Sequence, residues 1–220
     1  MLVQDARLPR DGVVLDVGCG LGRMAVPLAT YLAGGGRYEG FDVDAEAICW
    51  CERNIGAVRP NFRFTAVNLR SARYNPAGAS PAASLVFPYE DGTFDVAFLA
   101  SVFTHLLPDV VARYLHELAR VLKPGGRCVA SYFLLNDASE QAIAAGRLKP
   151  LHRFPERLDG CRVLSLELPE SAVAHDEDRI RRLYAQCGFR IVEPIRYGRW
   201  AGRSSPLGQD VVIGVIRDAP

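Results

Sequence analysis

The sequence predicts a doubly wound α/β fold: a mostly parallel sheet of about seven strands, the last antiparallel, with helices on both faces. Two observations carry this. Apolar runs of strand length alternate with helix-length segments from Val13 to Phe133, as a parallel sheet requires, because each crossover needs a helix. Two more strands, at 190–196 and 210–217, then close the chain without a helix between them, so they pair antiparallel around a long loop. The 220 residues, 49% hydrophobic and 23% charged, suit a single domain spanning 1–220 that buries about 70% of its unfolded surface.

The elements follow in order. Val13-Val14-Leu15-Asp16-Val17 is the first strand and runs into Gly18-Cys19-Gly20-Leu21-Gly22. A helix over about 23–33 ends at Gly34-Gly35-Gly36, since glycine supplies the left-handed residue that closes a helix. A second strand at 38–41 stops at Asp42. Asp44 reads as an N-cap for a helix over 45–58 with Ile48, Cys49 and Ile55 on one side. The stretch 62–67 alternates and is rich in aromatic and β-branched residues, a third strand. An irregular stretch, 68–92, is long for a compact domain and reads as functional. After a fourth strand at 94–99, a helix over 109–122 carries the apolar stripe Val110, Val111, Tyr114, Leu115, Leu118, Val121 and Leu122. Lys123-Pro124-Gly125-Gly126 stops it before a fifth strand at 127–133. The region 134–175 is mixed, with a short strand at 162–166; Asp176 then caps a helix over 177–187 that ends at Gly188.

Composition removes several classes of function. A net charge of +1 lacks the basic excess of most nucleic-acid-binding domains. No apolar run reaches the roughly 18–20 residues of a membrane span, and the first residues, with Asp5, Arg7, Arg10 and Asp11, do not read as a signal peptide. Six irregularly spaced cysteines read as free core thiols in a reducing cytoplasm, and the Cys49/Cys51 spacing suits neither a zinc knuckle nor a redox pair.

The chemistry concentrates at the end of the first strand, where an open α/β sheet binds its ligands. Glycines there let the backbone approach a ligand closely. Asp42 follows about twenty residues later, where nucleotide folds place the carboxylate that accepts ribose hydroxyls. The loop is not a dinucleotide fingerprint, which spaces its last two glycines by three; here Gly22 follows Gly20 by two. Asp16 would repel a pyrophosphate and suits a ligand with an ammonium group.

These motifs together resemble the class I S-adenosylmethionine-dependent methyltransferases. Val14 to Gly22 looks like the family's first motif and Gly40-Phe41-Asp42-Val43-Asp44 like the acidic end of its second strand. Phe87 to Ala97 looks like the approach to its fourth strand, and Val121 to Arg127 like the turn into its fifth. The resemblance covers 12–133 and implies a Rossmann-like fold with S-adenosyl-L-methionine as cofactor and S-adenosyl-L-homocysteine as product. It also implies roles. Gly18, Cys19 and Gly20 would pass under the methionine part, with Asp16 toward its ammonium group. Asp42 would hold the ribose hydroxyls and Val43 would pack on the adenine. Asn68, with Leu69 beside it, would face the adenine amino group; the family usually has Asp there, and an amide oxygen accepts the same bond. Ala100 would line the cofactor through its backbone. The family generally carries helices before the first strand. With only 1–12 there, the resemblance implies a site open at that edge, covered by a second copy of the chain, or completed by residues ahead of Met1.

Acceptor classes narrow by motif. The Asp/Asn/Ser-Pro-Pro-aromatic tetrapeptide of DNA amino-methyltransferases is replaced by Leu99-Ala100-Ser101-Val102, no Pro-Cys pair exists, and the paired-glutamate loop of protein-arginine enzymes is absent. A small molecule remains, methylated at a hydroxyl: a sugar, a natural product or a lipid glycan. Its contacts are expected from 101–109, 134–175 and 197–209, the last with Tyr197, Trp200 and Arg203, where aromatics can stack on a ring and the arginine can hold an anion. His105, just past the fourth strand, is the candidate base; His152 and His175 are weaker ones, and His116 lies on the amphipathic helix. The alternatives are a nicotinamide-dependent oxidoreductase and a non-catalytic S-adenosylmethionine-binding module. No metal is called for.

Overall fold

The computed structural model describes residues 1–217. The chain begins its sheet with β1 (Val13–Val17), turns through α1 (Ala25–Tyr31), and adds β2 (Arg37–Asp42), α2 (Ala45–Asn54) and β3 (Phe62–Ala66) outward on one side. It then crosses back to lay β4 (Phe94–Leu99) against the free edge of β1, followed by α3 (Pro108–Val121) and β5 (Leu122–Tyr132). After a capping region come α4 (Asp137–Ala144), α5 (Glu177–Gln186), β6 (Phe189–Ile191) and β7 (Asp210–Ile216). The seven strands lie in the order 3-2-1-4-5-7-6. All are parallel except β7, which runs antiparallel to β5 and β6. The expected architecture is therefore present, and its switch point falls between β1 and β4.

Alternation along each strand separates two cores. On β1, Leu15 and Val17 face the α3 side while Val14 packs on the α1–α2 side; on β4, Ala97 and Leu99 oppose Val96 and Phe98. The best-patterned helix, α3, buries Val111, Leu115, Leu118 and Val121 completely.

Several boundaries differ from the sequence reading, each for a local reason. α1 starts at Ala25 because the glycine turn continues through Gly22, whose φ is +69° and where an added Cβ would lie 2.7 Å from Ile55 Cδ1. α2 ends at Asn54, and 56–58 form a separate tight turn. Cys51 rather than Cys49 faces the core, in helical step with Ala47 and Ile48. β5 begins at Leu122, because Lys123-Pro124-Gly125-Gly126 is a bulge: Phe94 pairs with Leu122 but Val96 pairs with Arg127. Asp44 does cap α2, accepting the Glu46 and Ala47 N–H groups at 3.0 Å. Asp176 makes no such bond; its carboxylate takes Arg157 instead.

The mixed region folds into structure of its own. Leu134–Leu135, Val173–Asp176, Cys161–Val163 and Glu156–Leu158 form a second, four-stranded sheet in that order. The expected strand at 162–166 is thus shorter and starts earlier. α4, which weak periodicity concealed, carries a capping box between Asn136 and Ser139. Cys19, Cys51, Cys128, Cys161 and Cys187 are buried as single thiols.

Candidate active site

The turn after β1 is held from β2. The Gly18 and Cys19 N–H groups donate to the Phe41 carbonyl at 2.9 and 3.1 Å. Gly18 and Gly20 have φ of +75° and +51°, a region that favours glycine. At Gly20 a Cβ would meet nothing within 4 Å, so the turn presents bare backbone to open space. Asp42 closes the arrangement: its Oδ2 accepts the Gly20 N–H at 2.7 Å and its Oδ1 accepts the Asp44 N–H at 3.0 Å. A carboxylate has about four lone-pair sites, so capacity for two further donors is left.

Around these groups lies a cavity of about 320 Å³, large enough for a nucleoside-sized ligand. Gly18, Gly20, Asp42, Val43, Leu69 and Ala100 line it, six of the nine cofactor positions expected from the sequence. The other three sit elsewhere. Cys19 is buried under the turn against Gly40, and burial pushes its thiol pKa far up. Asn68 is exposed, and its side-chain oxygen accepts the Ala79 N–H at 3.2 Å, bracing the 68–80 turn; its neighbour Leu69 lines the cavity in its place.

Asp16 lies beneath the turn, 2% exposed, and accepts the Tyr38 hydroxyl at 2.6 Å. Burial raises its pKa from 3.8 to about 7, against the lowering effect of that hydrogen bond. The folded state thus holds this proton more tightly than the unfolded chain. Asp16's favourable contribution to stability is complete below about pH 4 and fades as pH rises to 7. A cation delivered beside it would reverse that pull.

His105 reaches the cavity from the turn after β4. Its Nδ1 lies 3.1 Å from the Glu170 carbonyl. A carbonyl only accepts, so Nδ1 carries the hydrogen and Nε2 keeps the lone pair. Burial holds the ring below the usual histidine pKa, against that hydrogen bond, so it is neutral at pH 7. Tyr74 packs edge-on against it at 6.2 Å, and Glu170 accepts the Ala72 N–H at 3.3 Å. Two segments about 100 residues apart therefore meet over the cavity. Neither Tyr74 nor Glu170 was expected, and no local motif marks them. Ser101, which opens the 101–109 segment expected to meet the acceptor, adopts φ +64°; its N–H donates to Ser131 Oγ at 2.7 Å.

The other histidines divide plainly. His175 is fully buried, its Nε2 2.8 Å from the Phe103 carbonyl, and burial lowers its pKa to about 4. His116 is exposed on α3. His152 stacks among Phe133 and Trp200 away from this cavity.

The three residues expected to face the acceptor do not reach the cavity. Tyr197 donates its hydroxyl to both Glu177 oxygens, at 2.9 and 3.0 Å. Arg203 lies 4.0 Å over the Tyr197 ring and donates to Asn136 Oδ1 at 3.0 Å. Trp200 is 3% exposed and donates its indole N–H to Asp210 at 2.7 Å. These contacts fasten the 197–209 segment to the cap, so their polar groups are already spent. Asp16 has no acid partner set that suggests a metal, and no cluster of three or more metal-ligating side chains occurs among the described residues.

A parallel sheet whose switch point holds a glycine turn, a strand-end carboxylate and a nucleoside-sized cavity defines a protein built around a nucleoside cofactor. Residues 15–130 match the methyltransferase domain family. The chain belongs to that family, of the class I S-adenosylmethionine-dependent kind, and S-adenosyl-L-methionine is its cofactor. This replaces the nicotinamide alternative. An O-methyltransferase of Aspergillus nomiae is 24% identical over 180 residues, 82% of this chain and 65% of that protein. A nocamycin O-methyltransferase of Saccharothrix syringae is 40% identical over 128 residues, 54% of this chain and 37% of that protein. The chain thus spans less than two thirds of the length of these curated relatives. Among solved structures, an S-adenosylmethionine-dependent methyltransferase of Methanosarcina mazei superposes with a TM-score of 0.65 at 25% identity, covering 96% of this chain and 95% of that one. No helix among the described residues is long and apolar enough to cross a membrane.

Proposed function

We propose that the protein transfers a methyl group from S-adenosyl-L-methionine to a hydroxyl of a small molecule. The observation that carries this is the Asp42 carboxylate, fixed at the cavity by two backbone N–H groups with acceptor capacity to spare. When bound, the cofactor supplies a methyl on a sulfonium: the acceptor oxygen bonds to that carbon as the C–S bond breaks, leaving a neutral thioether, and the hydroxyl proton departs. Asp42 would accept the ribose hydroxyls, Val43 and Leu69 would pack on the adenine, and the Gly18–Gly20 backbone would receive the amino-acid end, with the Asp16 carboxylate beneath the turn attracting its ammonium group. The two O-methyltransferases above support a hydroxyl acceptor by their names alone. The cytoplasmic setting belongs to this proposal as well. Calorimetric titration with S-adenosylhomocysteine and NAD tests it, followed by transfer of labelled methyl to a panel of hydroxyl compounds. Binding of S-adenosylhomocysteine but not NAD is expected; the reverse would overturn the reading, and binding without any turnover would leave only a non-catalytic module.

Asp16 makes the binding pH-dependent. Only its carboxylate form attracts an ammonium group, so below pH 7 binding must first expel a proton. Affinity for S-adenosylhomocysteine should rise by up to about tenfold per pH unit towards neutrality and flatten above it. Titrations near about pH 6 in buffers of different ionisation enthalpy should register the released proton. A flat profile would remove Asp16 from the site.

His105 is assigned as the base that takes the hydroxyl proton at Nε2. His105→Ala should lower kcat by about a hundredfold or more. The wild-type acid limb, which falls below the usual histidine value of about 6.5, should vanish with it. A kcat within about threefold of wild type, under ~0.7 kcal/mol of barrier, would leave alignment as the sole mechanism.

A further inference from the structure

We propose that the acceptor is an amphipathic anion, its apolar body lying in a groove beside the cofactor cavity and its charged end held in a basic basin beyond. This rests on the methyltransferase reading above. The cavity and the groove share Ala100 and Ser101. The groove, about 690 Å³, is walled by Met24, Leu28 and Tyr31 on one side and by Phe98, Leu207 and Val211 on the other. Past it, sharing Arg23, Gly208 and Gln209, opens a basin of about 730 Å³. The three spaces therefore adjoin one another. Ser101, which borders cavity and groove, donates its hydroxyl at 3.0 Å to Oε1 of Gln209, which borders groove and basin, so the three spaces meet around this pair.

The basin is one-signed. Arg23, Arg147, Lys149, Arg199 and His152 line it, and no Asp or Glu does. Among the described residues, none of the three arginines or Lys149 is in an ion pair. The contrast lies close by in the chain: Arg157, Arg162, Arg179 and Arg181 all sit on carboxylates. Arg23 also feels the Asp16 carboxylate; Arg147, Lys149 and Arg199 have no acid around the concavity and focus a positive potential into it, in a chain whose net charge is only +1. A carboxylate, sulfate or phosphate answers that potential, and a guanidinium is the side chain best shaped to hold one. The basin wall adds the half-buried His152, its ring centre 6.2 Å from that of the buried Trp200, an apolar edge next to the charge. A neutral sugar or an amine gains nothing from this arrangement.

Anilinonaphthalene sulfonate, an aromatic body with one anionic group, is the probe, and N-phenylnaphthylamine is its uncharged counterpart. Fluorescence titrations of both are made with wild type, with Arg147→Gln/Lys149→Gln/Arg199→Gln, and with a control that removes the same charge from exposed positions elsewhere, Arg53→Gln/Arg59→Gln/Arg182→Gln. All are repeated with S-adenosylhomocysteine, whose own affinity reports that each variant is folded. The basin variant should bind the sulfonate at least about tenfold more weakly, a loss of about 1.4 kcal/mol, and the uncharged probe within about twofold of wild type. The control should match wild type for both, and only in wild type and control should added salt weaken the sulfonate. Equal loss in basin variant and control, equal loss of both probes, no loss at all, or displacement of the sulfonate by self-association of the chain would overturn the proposal. Failure of wild type to bind S-adenosylhomocysteine would instead strike the methyltransferase reading, which the probe titrations do not depend on.

Discussion

Asp42→Ala should weaken S-adenosylhomocysteine binding by about 2–4 kcal/mol, or about 30- to 1,000-fold, while the protein stays folded. Two losses contribute. The ribose hydroxyls lose a charged acceptor, worth roughly 1.5–3 kcal/mol for each bond and not fully additive. The Gly20 N–H, 2.7 Å from Asp42 Oδ2, loses the partner that fixes the glycine turn, so the backbone facing the cofactor is no longer set before binding. The fold should survive, because Asp42 is the last residue of β2 and is not in the core. The freed N–H groups lie beside an open cavity that water can fill. Asp42→Asn separates the two contributions: the amide keeps one acceptor oxygen for either the turn or the ribose, not both, and should fall between wild type and Ala. Calorimetry against S-adenosylhomocysteine, with thermal unfolding as the control for folding, reads the result. Affinity within about twofold of wild type, under ~0.5 kcal/mol, would show that Asp42 does not hold the cofactor.

This half of the site was legible because its determinants are local. A strand, a glycine turn and a strand-end acid lie within 13–44, and the sheet topology needs only the order of strands to bring Asp42 to Gly20. Asn68 was misleading for a related reason. Its position at the end of the third strand is right, but an amide at a turn is as readily used by the turn itself, and the Ala79 N–H takes it. The segments 68–92 and 134–175 were read as functional, but not which of their residues meet over the cavity. Glu170 reaches His105 from the connection between two strands of the second sheet, and Tyr74 from the 68–92 stretch, where the strands are Leu69–Arg70 and Ser80–Pro81; strands this short carry no periodic signal. The basic basin escaped notice because Arg23, Arg147 and Arg199 are scattered among many other arginines; what distinguishes them is the absence of a carboxylate neighbour, which is a property of the folded chain.

Asp210→Ala should be the most destabilising single change outside the two main cores, at about 3–5 kcal/mol. Trp200, Tyr197 and Arg203 looked like acceptor contacts because aromatics and an arginine share an irregular segment. In the folded chain Tyr197 is bonded to Glu177, Arg203 to Asn136 and Trp200 to Asp210. Asp210 opens β7 opposite Tyr132 of β5 and is fully buried. Its Oδ2 accepts the Leu134 N–H at 2.8 Å and the Trp200 indole N–H at 2.7 Å, and its Oδ1 accepts the Gly198 N–H at 2.7 Å. One carboxylate therefore ties the end of the main sheet, the start of the second sheet and the 197–209 segment together. Removing it orphans three buried donors. Each costs about 1–3 kcal/mol unless water reaches it, and with Trp200 packed edge-on against Phe133 and Phe154 there is little room for water. At about 2–4 °C per kcal/mol for a chain of this size, Tm should fall by about 6–20 °C. Asp210→Asn should cost less: its oxygen can serve the Leu134 and Trp200 donors, leaving the Gly198 N–H facing an amide nitrogen. Trp200→Phe keeps the ring contacts and gives up one hydrogen bond, so it should cost about 1–2 kcal/mol and leave cofactor affinity unchanged. Thermal and urea unfolding of the three variants should rank Ala above Asn and above Phe in damage. If Asp210→Ala melted within about 2 °C of wild type, less than about 1 kcal/mol, the carboxylate would not be what fastens the cap, and the placement of Trp200 in the basin wall would need another cause.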